Sequence, residues 1–291
     1  KLTAVFGAGS IGASGSTAYI EVDNAGATNR FATAITVNAD PVIALSGNTG
    51  TGADTTDHLG TYGGTGAGGP SDSNTKVLLN FDRGGGKDWE DSSNIGADGY
   101  NFGLGGGDAI LKASPFGDGK TAIKLDGSDD KLVFPTHADF NFGTADFTIE
   151  FWARKDTTVS TSAIPFGTWQ DGGTGSYQIE FRSDGKVKFM IGNASNSTVY
   201  VIHQSSYQQY CWHHIAICRA SGVITFFFDG VASDTTLAAN FQAGSSTIAP
   251  ELGRDRHNND NYWTGYADDI RLVKGVAVYT GNFAVPTSRL S

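Results

Sequence analysis

The chain begins with a glycine pattern that binds dinucleotides in many proteins. Residues 2–15 read LTAVFGAGSIGASG, in which Gly7, Gly9 and Gly12 match G-x-G-x-x-G after a short apolar run. The motif requires a helix that begins at the last glycine, because the pyrophosphate rests on free N–H groups at the helix terminus. Only six small or polar residues separate Gly12 from the strand-like run 19–23, which is too short for a crossover helix. We therefore expect a glycine-rich turn and no bound nucleotide.

Two cysteines and two adjacent histidines lie in the segment YCWHHIAICR, residues 210–219. In one regular strand, the separation of seven between Cys211 and Cys218 places them on opposite faces, too far apart for a disulfide. His213 and His214 also point to opposite faces, and the spacing is not that of a zinc knuckle. We expect free, buried thiols and no metal cluster in this segment.

The composition predicts an all-β protein and excludes several classes of partner. The 291 residues include 18 Phe, 10 Tyr and 5 Trp but a single Met, and long segments with helical periodicity are absent. A net charge of -10 would repel phosphate backbones, so we expect no nucleic acid partner. No apolar stretch approaches the roughly 18 residues that span a bilayer. The first residue is Lys1 rather than Met, so the sequence gives no information on a preceding signal or anchor.

The chain divides into three segments of different character. Residues 1–45 contain strand-like pieces with few large apolar side chains, so we interpret them as an extended β-rich N-terminal arm that packs against something else. Residues 46–75 form a glycine-rich linker. From residue 76 to residue 291 the pattern is that of a single large β domain.

Alternating apolar and polar residues mark the strands of that domain. In DFTIEFWARK, the residues Phe147, Ile149, Phe151 and Ala153 share one face, and Trp152 is the apolar exception on the other face. The next two strands, SYQIEFR and KVKFMIG, flank the turn 183–185 and predict a hairpin. Roughly a dozen such strands predict two antiparallel sheets packed as a sandwich.

Three blocks of this domain carry a resemblance to a known family. They are SPFGDGKTAIKLDGSDDKLVFPTHADFNFGTADFTIEFWARKD, WHHIAICRASGVITFFFDG and GRDRHNNDNYWTGYADDIRLVKGVAVYTGNF, in the order the family has them. The domain from residue 76 resembles a laminin G-like, concanavalin A-like jelly roll. The last block, with DDIRLVKGVAVYTGNFAVPTS, is similar to versions in bacteriophage virion proteins. The glycine-rich stretch 83–119 is longer than a minimal member needs, and residues 1–75 match no family pattern.

The resemblance raises the alternative of a polysaccharide depolymerase, because glycoside hydrolases also use this fold. Those enzymes carry E-x-D-x-x-E on one strand, which places two carboxylates on one face for the acid and nucleophile roles. That stretch is absent here: Phe-Trp-Ala-Arg follows Glu150, and Phe-Arg-Ser follows Glu180. We expect no catalysis, and the depolymerase stays as a third hypothesis.

A structural calcium ion is a second implication of the resemblance, since laminin G-like jelly rolls often hold one near the first and last strands. In YADDIRLV, Asp268 shares a face with Tyr266, Ile270 and Leu272, so we expect a buried carboxylate that needs hydrogen bonds or a cation. Asp82 and the cluster Asp126, Asp129 and Asp130 are candidate co-ligands. The alternative is that backbone N–H groups satisfy Asp268 and that water solvates the loop acids.

The segment GRDRHNNDNYWTGY has the residue types for glycan recognition, because rings stack on sugar faces and amides bind hydroxyls. The candidate ligand-binding residues are Arg254, His257, Asn258, Asp260, Asn261, Tyr262 and Trp263, with Trp169 from another loop. The alternative is that Tyr262 and Trp263 begin the last core strand, and the loop position keeps the glycan hypothesis open.

The first functional hypothesis is a non-enzymatic virion surface protein, either a tail fibre, a head fibre or a capsid decoration, which binds host-surface glycans. Residues 1–75 would join the chain to copies of itself and to other virion proteins, since a β arm without a core leaves unpaired edges. The second hypothesis is a subunit of a bacterial extracellular filament or surface layer. The expected location is the virion surface or the extracellular space.

Overall fold

The computed structural model describes three strands near the N-terminus and most of the chain from residue 73 onward. The described ranges are 2–5, 17–24, 27–36, 73–81, 88–89, 102–106, 109–117, 120–158, 160–170, 173–193, 197–239, 242–245 and 247–290. The chain divides into two compact units, Lys1–Gly52 and Ala53–Ser291. The described residues contain no helix with the length and apolar character that a membrane crossing needs.

The first unit contains a three-stranded antiparallel sheet, in the order β1 (Leu2–Val5), β2 (Thr17–Asn24) and β3 (Ala27–Thr36). A dinucleotide-binding unit would instead have a helix after β1 and then a parallel strand. Here β2 pairs directly with β1 in the antiparallel sense. The strand predicted after the glycine motif is therefore confirmed, while Gly7, Gly9 and Gly12 themselves lie outside the described residues.

The second unit contains two antiparallel sheets that pack face to face. The larger sheet consists of β4 (Thr75–Leu79), β7 (Ile110–Ala113), β8 (Thr121–Asp126), β11 (Phe147–Lys155), β16 (Trp212–Ala220), β17 (Val223–Phe228), β18 (Val231–Ala232), β19 (Leu237–Ala238) and β22 (Thr264–Lys274). The smaller sheet consists of β5 (Asp88–Trp89), β6 (Phe102–Gly106), β9 (Lys131–Val133), β12 (Ala163–Gly167), β13 (Tyr177–Phe181), β14 (Lys186–Gly192), β15 (Thr198–Ser206) and β21 (Glu251–Leu252). A separate short ladder joins β10 (Asn141–Gly143) to β20 (Ala243–Gly244), and a 3-10 turn spans Ala138–Phe140. The predicted all-β sandwich is confirmed.

The order of strands brings the first and last elements of this unit to the centre of the larger sheet. That order is β18, β17, β16, β11, β22, β8 and β7, with β4 beside β22 past the end of β8. The smaller sheet runs β15, β14, β13, β12, β21, β9, β6 and β5. The long strand β22 therefore contacts β11 on one side and both β4 and β8 on the other.

The core lies between the two sheets and follows the alternation read from the sequence. Phe147, Ile149, Phe151 and Ala153 of β11 all belong to one buried cluster. Phe151 faces Phe166 of the smaller sheet, with ring centroids 5.9 Å apart. Period-two alternation therefore places a full apolar face of β11 in the core, as predicted.

The predicted hairpin of β13 and β14 is also present, with residues 183–185 as its turn. Arg182 N donates to Lys186 O over 2.8 Å across the turn. Gly185 has a φ of +82°, a left-handed conformation that glycine adopts without steric cost at the end of a three-residue hairpin loop.

Residues 275–290, here called the C-terminal strap, lie across the outer face of the larger sheet. Tyr279 and Phe283 of the strap stack with ring centroids 3.6 Å apart, and Phe283 also contacts Phe227 of β17 at 5.4 Å. Thr148 of β11 accepts a hydrogen bond of 2.8 Å from the strap backbone. The strap therefore buries one part of a sheet face that would otherwise meet water.

The strand β22 contains a bulge at Asp269, whose φ is +52°. Asp268 pairs with Trp152 of β11 and Arg271 pairs with Glu150, so two residues of β22, Asp269 and Ile270, lie opposite the single residue Phe151. The extra residue reverses the alternation, so Ile270 points into the core while Asp268 lies on the outer face with Trp152. The prediction that Asp268 shares the inner face with Ile270 is therefore wrong.

The two cysteines are free, as predicted, but they differ in burial. Cys218 lies inside β16 and is buried, whereas Cys211 is exposed. The strand begins only at Trp212, so Cys211 lies in the preceding turn and the prediction of two buried thiols is wrong for it. Burial raises the pKa of the Cys218 thiol to about 12, which keeps it protonated and unreactive.

Candidate ligand-binding surface

The loop between β21 and β22, residues 253–263, is closed by the buried carboxylate of Asp255. Asp255 Oδ1 accepts a hydrogen bond of 2.9 Å from His257 N, and Asp255 Oδ2 accepts one of 3.3 Å from Asn258 Nδ2. Asp255 N donates to Asp260 O over 2.9 Å. These bonds hold the loop closed and leave residues 257–261, here called the loop tip, exposed to solvent.

Two asparagines give the loop tip its backbone course. Asn259 has a φ of +56° and Asn261 a φ of +48°, in the left-handed region that asparagine tolerates better than most residues. Asn259 Oδ1 accepts a hydrogen bond of 3.1 Å from the Tyr262 hydroxyl, and Asn261 Nδ2 donates to Asp260 Oδ1 over 2.8 Å. The polar residues of the loop tip therefore determine its backbone conformation as well as the groups that it exposes to solvent.

The base of the loop is tied to the smaller sheet by charge and by backbone contacts. Arg254 Nε donates to Glu251 Oε2 over 2.7 Å, and Arg256 Nε lies 3.3 Å from Glu251 Oε1. The hydrogen bond that Arg254 donates to the Glu251 carboxylate raises the pKa of Arg254. Ile164 of β12 donates its N–H to Asn261 O over 3.0 Å. Arg254 is thus occupied with a structural ion pair rather than free to bind a ligand.

The structure brings most of the predicted glycan-binding residues together at one loop, but it buries the two predicted tryptophans, Trp169 and Trp263. His257, Asn258, Asp260 and Asn261 lie on the loop tip, with Tyr262 half-buried beside them. Trp263 is fully buried in the core, where its ring lies 4.9 Å from Phe181.

The burial of Trp169 and Trp263 leaves neither ring for a ligand, and for Trp263 it agrees with the alternative that this residue begins the last core strand. Trp263 Nε1 donates to Tyr266 O over 3.3 Å, so its only polar atom is also occupied within the protein. Trp169 is 8% exposed, which leaves almost no ring surface for a ligand. Large aromatic rings at strand ends pack into the core because burying them stabilises the folded state more than leaving them exposed on a loop would.

A row of five side chains crosses the outer face of the larger sheet, and its middle member, Tyr266, lies three residues after the loop 253–263. It follows the pairing register of five neighbouring strands, from β16 through β11, β22 and β8 to β7. We call it the cross-strand row, and its members are Trp212, Arg154, Tyr266, Lys124 and Ile110. All five are half-buried or exposed, and the described chain does not cover them as the strap covers the rest of the face.

Aromatic and cationic groups alternate along the cross-strand row and touch one another. The rings of Trp212 and Tyr266 meet edge to face at 5.8 Å. The Arg154 guanidinium lies 4.8 Å from the centre of the Tyr266 ring, and Lys124 Nζ lies 5.9 Å from it. The row was not predicted, because the register between strands cannot be read from alternation within each strand. Tyr266 was predicted on the inner face because the bulge at Asp269, which reverses the alternation of β22, has no signal in the sequence pattern.

Three side chains that form hydrogen bonds or ion pairs surround the fully buried Glu150 beneath the C-terminal strap. Arg271 Nε donates to Glu150 Oε1 over 2.7 Å, and the Tyr279 hydroxyl donates to Oε2 over 2.8 Å. His214 Nε2 lies 3.2 Å from the same Oε2. Burial alone would raise the pKa of Glu150, but Arg271, His214 and Tyr279 lower it to about 2. The group is permanently ionised and sealed from solvent, which suits a structural role and not acid catalysis.

Asp268 has a positive partner that the sequence did not reveal. Arg289 of the strap donates from Nη1 to Asp268 Oδ1 over 3.2 Å, and Leu290 N donates to Asp269 Oδ2 over 2.8 Å. Burial raises the pKa of Asp268 to about 8 and that of Asp269 to about 7. The Arg289 guanidinium is thus the cation near both buried carboxylates. Asp268 Oδ2 and Asp269 Oδ1 have no hydrogen-bond partner within the described residues.

The residues proposed as calcium co-ligands are placed only in part. Asp126, Asp129 and Asp130 bring carboxylate oxygens within 4.8 Å of one another, while Asp82 lies outside the described residues. Asp130 Oδ2 accepts a hydrogen bond of 2.8 Å from Asp126 N, as expected for a turn that closes on itself. Calcium binding therefore stays a prediction.

The fold and these sequence blocks identify the structural class of the protein. Residues 126–277 match the family model described as the concanavalin A-like lectin/glucanases superfamily. The chain belongs to that superfamily, and the resemblance seen in the sequence is confirmed.

Several known proteins are similar to parts of this chain. The non-toxic nonhemagglutinin of Paraclostridium bifermentans is 26% identical over 176 residues, which are 54% of this chain and 15% of that protein. The binding domain of Paraclostridial Mosquitocidal Protein 1 superposes with a TM-score of 0.55 at 15% identity, over 70% of this chain and 50% of that one. Domain 4 of AbnA, a GH43 extracellular arabinanase from Geobacillus stearothermophilus solved with arabinotriose, has a TM-score of 0.50 at 16% identity, over 70% and 94%. The structural similarities show a shared fold, and this chain spans only part of the first two proteins.

Proposed function

We propose that this protein is a non-catalytic carbohydrate-binding protein and that the loop tip contacts the sugar. The observation that carries this proposal is the exposed polar stretch 257–261, held in one conformation by the buried Asp255. A site that is already ordered loses little entropy on binding, so even a few hydrogen bonds give useful affinity.

The groups on the loop tip fit sugar hydroxyls. Asn258 and Asn261 supply amide donors and acceptors, Asp260 supplies a carboxylate acceptor, and His257 supplies an imidazole. The superfamily assignment and the arabinotriose complex of AbnA Domain 4 support a sugar ligand over other small polar molecules.

The proposed role is binding without hydrolysis. The cluster around Glu150 is sealed beneath the strap, so a polysaccharide has no route to it. Purified protein incubated with a bound polysaccharide should release no reducing ends. Release of reducing ends that survives Glu150→Gln would instead favour a depolymerase with a different catalytic group.

The experiment that tests the site is a glycan-binding screen of the full chain and three variants. Asn261→Gly removes the amide but keeps the left-handed backbone, and Asp260→Ala removes the carboxylate. Both should weaken binding at least several-fold, whereas Thr236→Ala, at an exposed turn, should not change it. Unchanged binding in both loop variants would show that the loop tip is not the site.

We also propose that the protein acts outside the cell, on a virion or in an extracellular filament. The resemblance of the last sequence block to virion proteins supports the first location, and the choice between them stays a prediction. Electron microscopy of native particles with an antibody against this chain tests it: labelled tails or capsids support the virion, and labelled cell-surface fibres support the filament.

A further inference from the structure

The cross-strand row has the geometry of a second contact surface, separate from the loop tip. Its five residues lie on five adjacent strands, which are about 4.8 Å apart, so the row is roughly 19 Å long. Ile110 at one end is 46% exposed. Each side chain stands on a sheet strand, so the surface is rigid, unlike one made from loops.

The charge of the row contrasts with that of the molecule. The whole chain carries a net charge of -10, yet the row presents Lys124 and Arg154 on either side of Tyr266. Arg154 is paired with Asp156 at 2.8 Å. Lys124 contacts the Tyr266 ring, and no described carboxylate pairs with it. Lys124 is therefore a cation whose charge is available to an incoming anion.

We propose that the cross-strand row binds a glycan chain whose sugars carry carboxylates, an inference that rests on the proposed carbohydrate-binding function. Lys124 contacts a carboxylate, and the Trp212 and Tyr266 rings contact the apolar faces of the sugars. The acidic glycan thus extends along the row, and a neutral glycan binds through the loop tip alone.

An acidic glycan fits this row better than an anionic lipid surface does. Membrane docking relies on apolar side chains that insert among the lipids beside several basic residues. The row offers one exposed aliphatic side chain, Ile110, and two cations, while its two aromatic rings meet edge to face on the surface of the sheet. Rings held among cations on a rigid surface suit an extended chain of sugars lying flat on the sheet.

The test compares binding of oligogalacturonate with binding of its methyl-esterified form, which has the same sugars without the charges. Calorimetry with the full chain at low salt should show oligogalacturonate bound at least tenfold more tightly than the ester. Lys124→Gln should weaken oligogalacturonate binding roughly tenfold, as loss of one charge-assisted contact predicts. Lys131→Gln removes an equally half-buried charge from the smaller sheet and should change the affinity less than twofold.

A second variant guards against an effect of charge alone. Trp212→Ala should weaken binding of oligogalacturonate and change the free energy of unfolding only slightly, since Trp212 is only half-buried. Equal binding of the acid and its ester, or unchanged affinity in both row variants, would overturn the inference. So would binding to phosphatidylserine vesicles with none to oligogalacturonate. Binding of a neutral glycan that is lost in Asn261→Gly, with no preference for the acid, would leave the carbohydrate-binding function standing and refute this surface.

Discussion

Replacing Arg271 with methionine should destabilise the protein strongly, because it leaves Glu150 charged and buried. Glu150 is fully buried and Arg271 is 5% exposed, and the guanidinium donates to Glu150 over 2.7 Å. Removing one partner of a buried ion pair costs about 3 to 5 kcal/mol, since the remaining charge keeps its desolvation penalty. Methionine retains most of the side-chain volume, so a cavity contributes little to the change.

The pH dependence of stability gives a second value for the free energy by which the ionised Glu150 and its partners stabilise the fold. The pKa of Glu150 is lowered from 4.5 to about 2, which corresponds to about 3 kcal/mol of stability. Because the pKa is depressed in the folded state, that stability is present above pH 4.5 and is lost as the pH falls towards 2. In the Arg271→Met variant the main cause of the lowered pKa is gone, so this acid-dependent loss should become smaller.

The assay is urea denaturation of the full chain, followed by tryptophan fluorescence at pH 7 and at several pH values down to 3. Arg182→Met is a matched control, because Arg182 pairs with Asp184 on the surface and such pairs contribute less than about 1 kcal/mol. If Arg271→Met and Arg182→Met lowered the free energy of unfolding equally, the buried ion pair between Glu150 and Arg271 would contribute no more to stability than a surface pair.

Four further outcomes are expected from the same structure. Burial raises the pKa of Asp268 to about 8 and that of Asp269 to about 7, so wild-type stability should fall as the pH rises from about 4 to 8, and Asp269→Asn should remove part of that fall in denaturation curves. Trp263→Ala should lower stability by about 3 to 5 kcal/mol through a core cavity, whereas Trp212→Ala should change it by less than about 1 kcal/mol. If calcium binds, millimolar calcium should raise the melting midpoint and a chelator should lower it; an unchanged midpoint removes the calcium prediction. Deletion of residues 1–72, which keeps Asn74 O as the acceptor for Lys274 N at 2.9 Å, should leave a folded domain that sediments as a smaller species; normal assembly by the truncated chain would contradict the role assigned to the arm.

Local patterns in the sequence were sufficient to predict the framework of the fold. Alternation in β11 identified the core face of Phe147 to Ala153, and a glycine after two polar residues identified the hairpin of β13 and β14. Both signals arise within a few residues, where backbone geometry and side-chain period decide the outcome. The family blocks then indicated a jelly roll, without the order of its strands in each sheet.

The features that were mispredicted depend on contacts between distant residues. The bulge at Asp269 changes the face of Asp268, and it lies in a strand that pairs with β11 on one side and with β4 and β8 on the other. The partner of Asp268 is Arg289, which lies 21 residues away on the strap. The cross-strand row needs the register of five strands at once, so no single segment of sequence contains it.

The strap also has a consequence for biosynthesis. Arg289 donates to Asn80 O over 2.6 Å, so the last described residues close on the end of β4, about 210 positions earlier in the chain. Until residue 290 has left the ribosome, Glu150, Asp268 and Asp269 have no cover and remain hydrated. Nascent chains should therefore acquire protease resistance only after synthesis of the strap is complete, and late truncations should be degraded rather than accumulate as shortened domains.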